Sequence, residues 1–280
     1  MTRIAQPEQI AAGVTLAALQ VQSLLDPLDY RILLCHALAL SRVSLITQSE
    51  RALTEDEAQR LRALVQRRLD GEPIAYIVGE REFFGLPFAV SGAVLIPRPD
   101  TELLVELTID RLPTGGQALD MGTGSGAIAV AVAHSRRDAA VTALDVSPDA
   151  LAVARRNASA NGVNVTFMQS DWYGALGSER FDVIASNPPY IASGDRHLSE
   201  GDLRFEPVGA LTDHADGLSA LRQLIAGAPR YLKPQGWLLM EHGYDQAAAV
   251  RGLLTAQSYT EVQSWTDLAG IERVTGGRLA

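Results

Sequence analysis

The stretch Ala118-Leu119-Asp120-Met121-Gly122-Thr123-Gly124-Ser125-Gly126 decides the fold of this chain. Its pattern predicts a short buried strand, a turn with three alternate glycines, and a helix that begins near Ala127. Glycines in such a turn let the backbone approach a ligand closely at the carboxyl edge of a parallel sheet. The stretch therefore indicates an α/β domain that binds a nucleotide-like ligand.

Strand and helix patterns alternate around this turn. The predicted strands are 117–121, 141–145, 165–169, 181–186, 237–241, 263–265 and 272–274, and the predicted helices are 127–133, 150–161 and 218–232. Such an alternation favours a parallel sheet with helices on both faces. We therefore expect a catalytic α/β domain over residues 95–280.

The first part of the chain has a different pattern. Its apolar residues recur at helical spacing, and Thr54 followed by Glu57 predicts a capping box at the start of a helix. Residues 74–94 combine β-branched and aromatic residues with glycine and proline, a pattern typical of strands and turns. We therefore predict a small helical bundle domain over residues 1–73 and a β-hairpin linker over residues 74–94.

The composition argues against several classes of protein. Lys and Arg number 24 against 33 Asp and Glu, for a net charge of -9, whereas a protein that neutralises many phosphates needs a surplus of basic residues. No apolar run approaches the roughly 20 residues of a membrane span, and the N-terminus lacks a secretory pattern, so a cytoplasmic location is expected. Cys35 has no partner for an internal disulfide, and the five histidines lack metal-ligand spacing, so we assign no metal.

Acidic and aromatic residues follow the next two predicted strands. Asp145 lies about twenty residues after the glycine turn, where a carboxylate can accept both hydroxyls of a ribose. Asp171 and Trp172 follow the third strand, where an aromatic face can stack on adenine and a carboxylate can accept a proton of its amine. These features indicate a nucleoside pocket. The alternatives are a purely structural turn, an ordinary loop aspartate with a half-buried tryptophan, or a nicotinamide enzyme, since the turn also satisfies the loose dinucleotide pattern.

The motif Asn187-Pro188-Pro189-Tyr190 follows another predicted strand and so lies at the same sheet edge. An amide or exocyclic amine is a poor nucleophile because its lone pair is delocalised. A site that makes such a nitrogen react must hold the NH2 group by both hydrogens, with the nitrogen facing the electrophile. The Asn187 side-chain oxygen and the Pro188 carbonyl can be those acceptors, and Tyr190 can supply a wall for the planar group. A strand-ending turn without chemistry is the alternative.

These motifs resemble those of known enzymes. With Asp120 two positions before its first glycine, the turn resembles the first motif of the class I S-adenosylmethionine-dependent methyltransferases. The Asn-Pro-Pro-Tyr motif occurs in methyltransferases that act on planar NH2 groups, at adenine N6, guanine N2 and glutamine N5 alike. The chain resembles the release-factor glutamine methyltransferase family almost from end to end. The segments that carry this resemblance are Ile96-Pro97-Arg98-Pro99-Asp100-Thr101-Glu102, Phe205-Glu206-Pro207 with Ala210-Leu211, and Glu241-His242-Gly243-Tyr244 with Gln246.

The resemblance implies a Rossmann-like seven-stranded methyltransferase domain after a helical substrate-recognition domain and a hairpin linker. It implies S-adenosylmethionine as cofactor, and the residues expected to bind it are Gly122, Thr123, Gly124, Ser125, Gly126, Asp145, Asp171, Trp172 and Asn187. The implied substrate is the glutamine of the Gly-Gly-Gln motif in class I peptide chain release factors, bound by Asn187, Pro188, Pro189 and Tyr190. We expect Asn187, Pro188 and Tyr190 to be catalytic, in a monomer without direct nucleic-acid or membrane contact.

Some alternatives stay open at this point. The chain could be an amino-methyltransferase of nucleic acids, or a noncatalytic nucleotide-binding or scaffold protein. Arg98, Thr101 and Glu102 are as consistent with a lid over the cofactor as with a structural crossover. His242 beside Glu241 at a strand end predicts a hydrogen-bonded pair rather than an acid/base pair.

Overall fold

The computed structural model describes residue 7, residues 10–21 and residues 25–280. The chain divides into two compact units, Met1–Gly79 and Glu80–Ala280. The helical domain predicted over residues 1–73 includes residues 1–6, 8, 9 and 22–24, and for these the prediction lies outside the described residues.

The first unit is helical over the residues that the structure describes. Its helices are α1 (Leu16–Val21), α2 (Pro27–Leu38), α3 (Arg42–Thr47), α4 (Glu55–Leu69) and α5 (Ile74–Val78). One core joins α1, α2 and α4, and its fully buried leucines include Leu16, Leu19, Leu33, Leu34 and Leu61. The capping box of α4 is confirmed, since the Glu57 N–H donates to Thr54 Oγ1 at 3.3 Å and the Thr54 N–H donates to Glu57 Oε2 at 3.0 Å.

The segment Ile74–Val78 is a helix, so the strand predicted at the start of residues 74–94 is wrong. Pro73 begins this helix, and its carbonyl accepts the Ile77 N–H at 3.1 Å. Gly79 ends it in the left-handed region, at a φ of 76°. A run of five apolar residues is too short for its periodicity to distinguish a strand from a helix. The proline before it and the glycine after it favour the helix instead.

The hairpin itself occupies the first residues of the second unit. Strand β1 (Glu80–Phe83) pairs antiparallel with β2 (Leu86–Ala89). Phe84 and Gly85 between them have φ values of 53° and 72°, as a two-residue turn of type I′ requires. Glu102 Oε1 accepts the Phe84 N–H at 2.9 Å, so this residue of the suspected lid supports the hairpin turn.

Seven further strands of the second unit form one sheet in the described part of the chain. They are β3 (Gln117–Met121), β4 (Ala140–Asp145), β5 (Thr166–Gln169), β6 (Phe181–Ser186), β7 (Leu232–Glu241), β8 (Thr260–Thr266) and β9 (Glu272–Arg278). Their order across the sheet is β5-β4-β3-β6-β7-β9-β8, parallel from β5 to β7 and antiparallel at β9 and β8. The predicted Rossmann-like α/β fold is confirmed, with an antiparallel pair at one edge.

Helices cover both faces of this sheet. They are α6 (Glu102–Arg111), α7 (Ala127–Ser135), α8 (Pro148–Ala160), α9 (Val208–Leu211), α10 (Ser219–Gly227) and α11 (Ala247–Ala256). One core packs α6 and α7 on the sheet, and the other packs α10 and α11. Within β3, Ala118 belongs to the first core but Leu119 and Met121 to the second, because successive strand side chains point to opposite faces. No helix in the described ranges is long and apolar enough to cross a bilayer.

The helix predicted over residues 218–232 ends earlier, at Gly227. A Cβ at Gly227 would lie 2.3 Å from a ring carbon of Tyr173, so the glycine lets that ring pack against the helix end. Pro229 follows, and proline has no N–H to continue an α-helical ladder. The chain then enters β7, which begins at Leu232, five residues before the predicted strand.

Candidate active site

A cavity of about 310 Å³ lies at the carboxyl ends of β3, β4 and β6. The strand order reverses there, because β4 lies on one side of β3 and β6 on the other, and open α/β sheets bind ligands at such a switch point. The volume is within the roughly 300–1,000 Å³ of small-molecule sites. Of the predicted site residues, those that line the cavity are Gly122, Thr123, Gly124, Ser125, Asp145, Asp171, Trp172, Asn187, Pro188 and Pro189. Gly126 and Tyr190, also predicted for the site, are not among the residues that line the cavity.

The glycine turn leaves open space towards the cavity. Gly122 and Gly124 have φ values of 74° and 55°, and a Cβ at either would meet no heavy atom within 4 Å. At Gly126 a Cβ would lie 3.1 Å from the Ala154 Cβ, so this glycine permits α8 to pack against the start of α7. The Gly122 N–H donates to the Leu144 carbonyl at 2.9 Å, which joins the turn to the end of β4. The turn thus combines a fixed backbone with room for a ligand.

Asp145 holds the turn from the end of β4. Its Oδ2 accepts the Gly124 N–H at 2.8 Å, and its Oδ1 accepts the Ser147 N–H at 2.9 Å. Each carboxylate oxygen has a further lone pair, and the side chain is half-buried at the cavity wall. The carboxylate can therefore accept the two hydroxyls of a ribose while it holds the glycine turn.

Asp120 braces the same turn from inside the protein. Its Oδ2 accepts the Thr123 hydroxyl at 2.6 Å and the Ala129 N–H at 3.1 Å. Its Oδ1 has no hydrogen-bond partner among the described residues, and the side chain is buried. Burial raises the pKa of Asp120 to about 7, with a smaller contribution of the same sign from the Asp145 charge. Ionisation of the Asp120 carboxyl in the folded protein therefore lowers the free energy of unfolding.

We expect Asp120→Asn to flatten the pH dependence of folding stability. Between the ordinary pKa of 3.8 and the folded value of about 7, the folded chain keeps a proton that the unfolded chain has released. The free energy of unfolding therefore falls as the pH rises through this window, by up to about 1.4 kcal/mol per pH unit. Urea unfolding from about pH 5 to pH 8 measures this slope. The exposed-site control Asp110→Asn should keep the wild-type slope, and a wild-type slope in Asp120→Asn would refute the assignment.

Trp172 is held at the cavity wall by its backbone. Its φ of 48° lies in the left-handed region, which is uncommon for a bulky residue. The Ser170 hydroxyl donates to the Trp172 carbonyl at 2.6 Å and accepts the Ala175 N–H at 3.0 Å, which fixes this conformation. The half-buried indole faces the same cavity as the exposed Asp171. A planar base can stack there.

The Asn-Pro-Pro-Tyr motif begins directly after β6. The Ser186 hydroxyl donates to the Met121 carbonyl at 2.7 Å, which ties the start of the motif to the end of β3. The Asn187 Nδ2 donates to Thr101 Oγ1 at 3.1 Å, and Thr101 is buried in the cavity wall. One polar atom of the Asn187 amide is therefore engaged by the protein, and its oxygen is available to a ligand.

Tyr190 is anchored away from the cavity by the end of β7. Its phenol donates to Glu241 Oε1 at 3.3 Å, and burial is the largest cause that raises its pKa above the ordinary value. Its carbonyl accepts the Gln246 Nε2 at 3.0 Å, and Gln246 also donates to the Gly217 carbonyl at 3.2 Å. A Cβ at Gly217 would lie 2.5 Å from the Tyr190 carbonyl oxygen, so only glycine fits there. These contacts hold the motif in one conformation.

Two further segments, to which the sequence assigned no chemistry, also form part of the cavity wall. Arg98 and Thr101 line the cavity from one of them, and Pro207, Gly209 and Ala210 line it from the other. A partly buried ion pair joins the segments. It links Arg98 to Glu206, whose Oε2 also accepts the Ile96 N–H at 3.0 Å. Burial raises the pKa of Glu206 above its ordinary value, against the effect of Arg98. The family resemblance of both segments was the only sequence signal for this wall.

The pair predicted between His242 and Glu241 is wrong. The His242 ring bonds through Nε2 to Thr275 Oγ1 at 2.7 Å and through Nδ1 to the Gly243 carbonyl at 2.8 Å. Glu241 instead faces Tyr190, because neighbouring residues at a strand end point to opposite faces. Thr101 adjoins Asn187 and Glu241 adjoins Tyr190, and neither contact was predicted from the sequence.

Comparisons with known proteins give matches in both units of the chain. Residues 15–79 match the PrmC N-terminal domain, and residues 99–201 match the methyltransferase small domain. A release factor glutamine methyltransferase of Burkholderia pseudomallei is 55% identical over 95% of this chain and 96% of its own. One of Neisseria gonorrhoeae is 51% identical over 91% of this chain and 94% of its own. A methyltransferase structure from Pyrococcus furiosus shares the fold, with a TM-score of 0.55 and 22% identity over 76% of this chain and 96% of that one.

Proposed function

The chain belongs to the release factor glutamine methyltransferase family, and on this premise we propose its reaction. It transfers the methyl group of S-adenosylmethionine to the side-chain amide nitrogen, N5, of the glutamine in the Gly-Gly-Gln motif of class I peptide chain release factors. This methylation modulates translation termination. The single observation that supports this chemistry best is Asn187, which lines the cavity beside the glycine turn with its Nδ2 engaged by Thr101 and its oxygen available.

S-adenosylmethionine supplies an electrophilic sulfonium methyl group when it is bound. The residues that would hold it have suitable chemistry. The glycine turn offers an open backbone, and Asp145 keeps lone pairs for ribose hydroxyls. Trp172 offers a ring for adenine at the same wall. The remaining proposed cofactor residues are Gly122, Thr123, Gly124, Ser125, Gly126, Asp171 and Asn187.

The Asn-Pro-Pro-Tyr motif holds the substrate amide in this proposal. The Asn187 oxygen and the Pro188 carbonyl would accept its two N–H groups and so hold its nitrogen towards the bound methyl donor. Pro189 fixes the backbone, and Tyr190, anchored on Glu241, supports the wall beside the planar amide. The surplus proton leaves the nitrogen after transfer, so the site needs orientation more than a strong base.

The protein partner is a release factor, and the first unit is the proposed substrate-recognition domain. We propose that the chain acts as a monomer in the cytoplasm. Its net charge of -9 supports action on a protein rather than directly on nucleic acid.

A short Gly-Gly-Gln peptide is expected to be a much poorer substrate than an intact release factor. Two glycines and one glutamine offer few side chains, so recognition must use contacts far from Asn187. We expect kcat/KM for the peptide to be at least about 100-fold lower, the loss of roughly 3 kcal/mol of remote binding. Steady-state kinetics with both substrates measures the ratio. Equal values would place recognition at the tripeptide alone.

The function is tested with methyl-labelled S-adenosylmethionine and separate acceptors. These are an unmodified release factor, its Gln→Ala variant in the Gly-Gly-Gln loop, DNA and RNA. Label on the intact factor alone supports the proposal. Label on nucleic acid alone would assign the chain to the amino-base methyltransferases, and label on the Gln→Ala variant would place the methyl group on another residue.

A further inference from the structure

Asn157 is a buried polar residue that the proposed reaction does not use. It lies on α8 with 1% of its surface exposed, and it is not among the residues that line the cavity. Its Oδ1 accepts the Ala89 N–H at 2.8 Å. Its Nδ2 donates to the Ala89 carbonyl at 3.0 Å and to the Ser125 carbonyl at 2.8 Å. One side chain therefore joins the last residue of β2 to the glycine turn.

The hairpin determines which way the Asn157 amide points. A backbone N–H is a donor only, so the Ala89 N–H requires the oxygen of the Asn157 amide, and the NH2 group is left for the two carbonyls. In the opposite orientation the NH2 group would face an N–H and the oxygen would face two carbonyls. All three hydrogen bonds would then be lost inside the protein, where unpaired polar groups are costly. The amide therefore has one stable orientation, with a donor towards Ser125.

The bond from Asn157 holds one peptide unit of the glycine turn, the one between Ser125 and Gly126. The Ser125 carbonyl accepts this bond, and the Gly126 N–H donates to the Thr123 carbonyl at 2.8 Å. Gly126 has a φ of 84°, and glycine adopts positive and negative φ about equally readily. The peptide could thus turn over at little backbone cost if its carbonyl were free. Thr123 and Ser125 line the cavity, so the shape of the cavity depends on this peptide.

We propose that Asn157 is a positioning residue for cofactor binding, which fixes the Ser125–Gly126 peptide in the orientation that S-adenosylmethionine requires. The β-hairpin contributes through Ala89, which sets the direction of the Asn157 amide, and so it supports the cofactor site. The inference rests on the proposed function in one respect, namely that the glycine turn binds S-adenosylmethionine. It does not depend on which acceptor is methylated.

Asn161 provides a matched control one helical turn further along the chain. Its Nδ2 donates to the Pro87 carbonyl at 3.0 Å and to the Asn157 carbonyl at 2.9 Å. It therefore bonds to the same hairpin, whereas the hydrogen bonds found among the described residues include none from Asn161 to the glycine turn. A comparison of the two asparagines separates a loss of hairpin contacts from a loss of support for the turn.

The first test is calorimetric titration of the full-length protein with S-adenosylmethionine. Asn157→Ala should raise the Kd by about 10-fold, the loss of one hydrogen bond that preorganises the turn, and Asn161→Ala should stay within about twofold of the wild type. At saturating S-adenosylmethionine, kcat of Asn157→Ala should stay within about threefold, because the altered side chain does not line the reacting centre. A wild-type Kd in Asn157→Ala, or an equal rise in Asn161→Ala, would overturn the proposal.

A second variant separates the hydrogen bond from packing. Asn157→Leu fills nearly the same space as asparagine but has no donor, so its Kd should remain raised as in Asn157→Ala. If leucine restored the wild-type Kd, packing would explain the effect and the positioning role would be wrong. If leucine prevents folding, Asn157→Ala and the exchange measurement below decide the question.

Amide hydrogen exchange without any ligand reports on the peptide directly. By NMR, the Gly126 amide should exchange at least about 10-fold faster in Asn157→Ala than in the wild type or in Asn161→Ala. Gly122 is the internal reference, because its N–H donates to the Leu144 carbonyl at 2.9 Å. Equal acceleration at Gly122 and Gly126 would indicate a general loss of stability and would overturn the proposal.

The outcomes distinguish this inference from the proposed function. Faster Gly126 exchange and a raised Kd in Asn157→Ala, without methylation of any release factor by the wild type, would refute the proposed function and leave the role of Asn157 standing. Methylation by the wild type, with unchanged Kd and unchanged Gly126 exchange in Asn157→Ala, would refute the role of Asn157 and leave the function standing.

Discussion

Asn187→Ala is expected to lower kcat for release-factor methylation by about 100- to 1,000-fold, the usual cost of removing one preorganised hydrogen-bonding group from a reacting centre. The alanine variant lacks the oxygen that accepts one N–H of the substrate amide, so the nitrogen is no longer held towards the methyl group. Single-turnover methyl transfer at saturating S-adenosylmethionine measures this loss directly.

A matched control is available on the surface of the same domain. Asn164 is exposed, and Asn164→Ala should keep the wild-type rate. Isothermal titration should show that Asn187→Ala still binds S-adenosylmethionine, because the glycine turn and Asp145 are intact. If Asn187→Ala transferred methyl groups at the wild-type rate, the substrate amide would have to be held elsewhere.

Asp145→Ala is expected to weaken S-adenosylmethionine binding by at least about 100-fold. The variant loses two acceptors for the ribose, and hydrogen bonds to a charged group contribute roughly 1.5–3 kcal/mol each. It also releases the Gly124 N–H, which Asp145 Oδ2 accepts at 2.8 Å, so the glycine turn loses one of its supports. Calorimetric titration of the purified protein with S-adenosylmethionine gives the Kd.

The exposed Asp149 at the start of α8 provides the control for Asp145. Asp149→Ala has the same change in charge and should bind with nearly the wild-type Kd. The far-ultraviolet circular dichroism of both variants should match the wild type. A wild-type Kd in Asp145→Ala would show that the ribose is bound by other residues.

The α/β fold could be predicted from the sequence because its signals are local. The glycine turn, the capping box of α4 and the alternation of strands with helices each depend on residues close together in the chain. The helix Ile74–Val78 could not be predicted, since a run of five apolar residues fits the periodicity of a strand as well as that of a helix. The early end of α10 depends on how the Tyr173 ring packs at Gly227, a tertiary contact that no local pattern encodes.

The candidate site was predictable only where motifs follow strands. Ten of the predicted residues line one cavity because the carboxyl ends of parallel strands meet at one sheet edge. The contacts of Thr101 with Asn187 and of Glu241 with Tyr190 were not predicted. The two residues of the first contact are 86 positions apart in the chain, and those of the second are 51 apart. Contacts at such separations depend on the completed sheet and have no signature in a single sequence.

The chemical identity of the methylated atom tests the central claim most directly. After reaction of an unmodified release factor with S-adenosylmethionine and the wild-type protein, tandem mass spectrometry of the peptide that contains Gly-Gly-Gln locates the added group. We predict one methyl group on the side-chain amide nitrogen of that glutamine and none after reaction with Asn187→Ala. An unmodified glutamine, with the methyl group on another residue of the factor or on nucleic acid, would contradict the account.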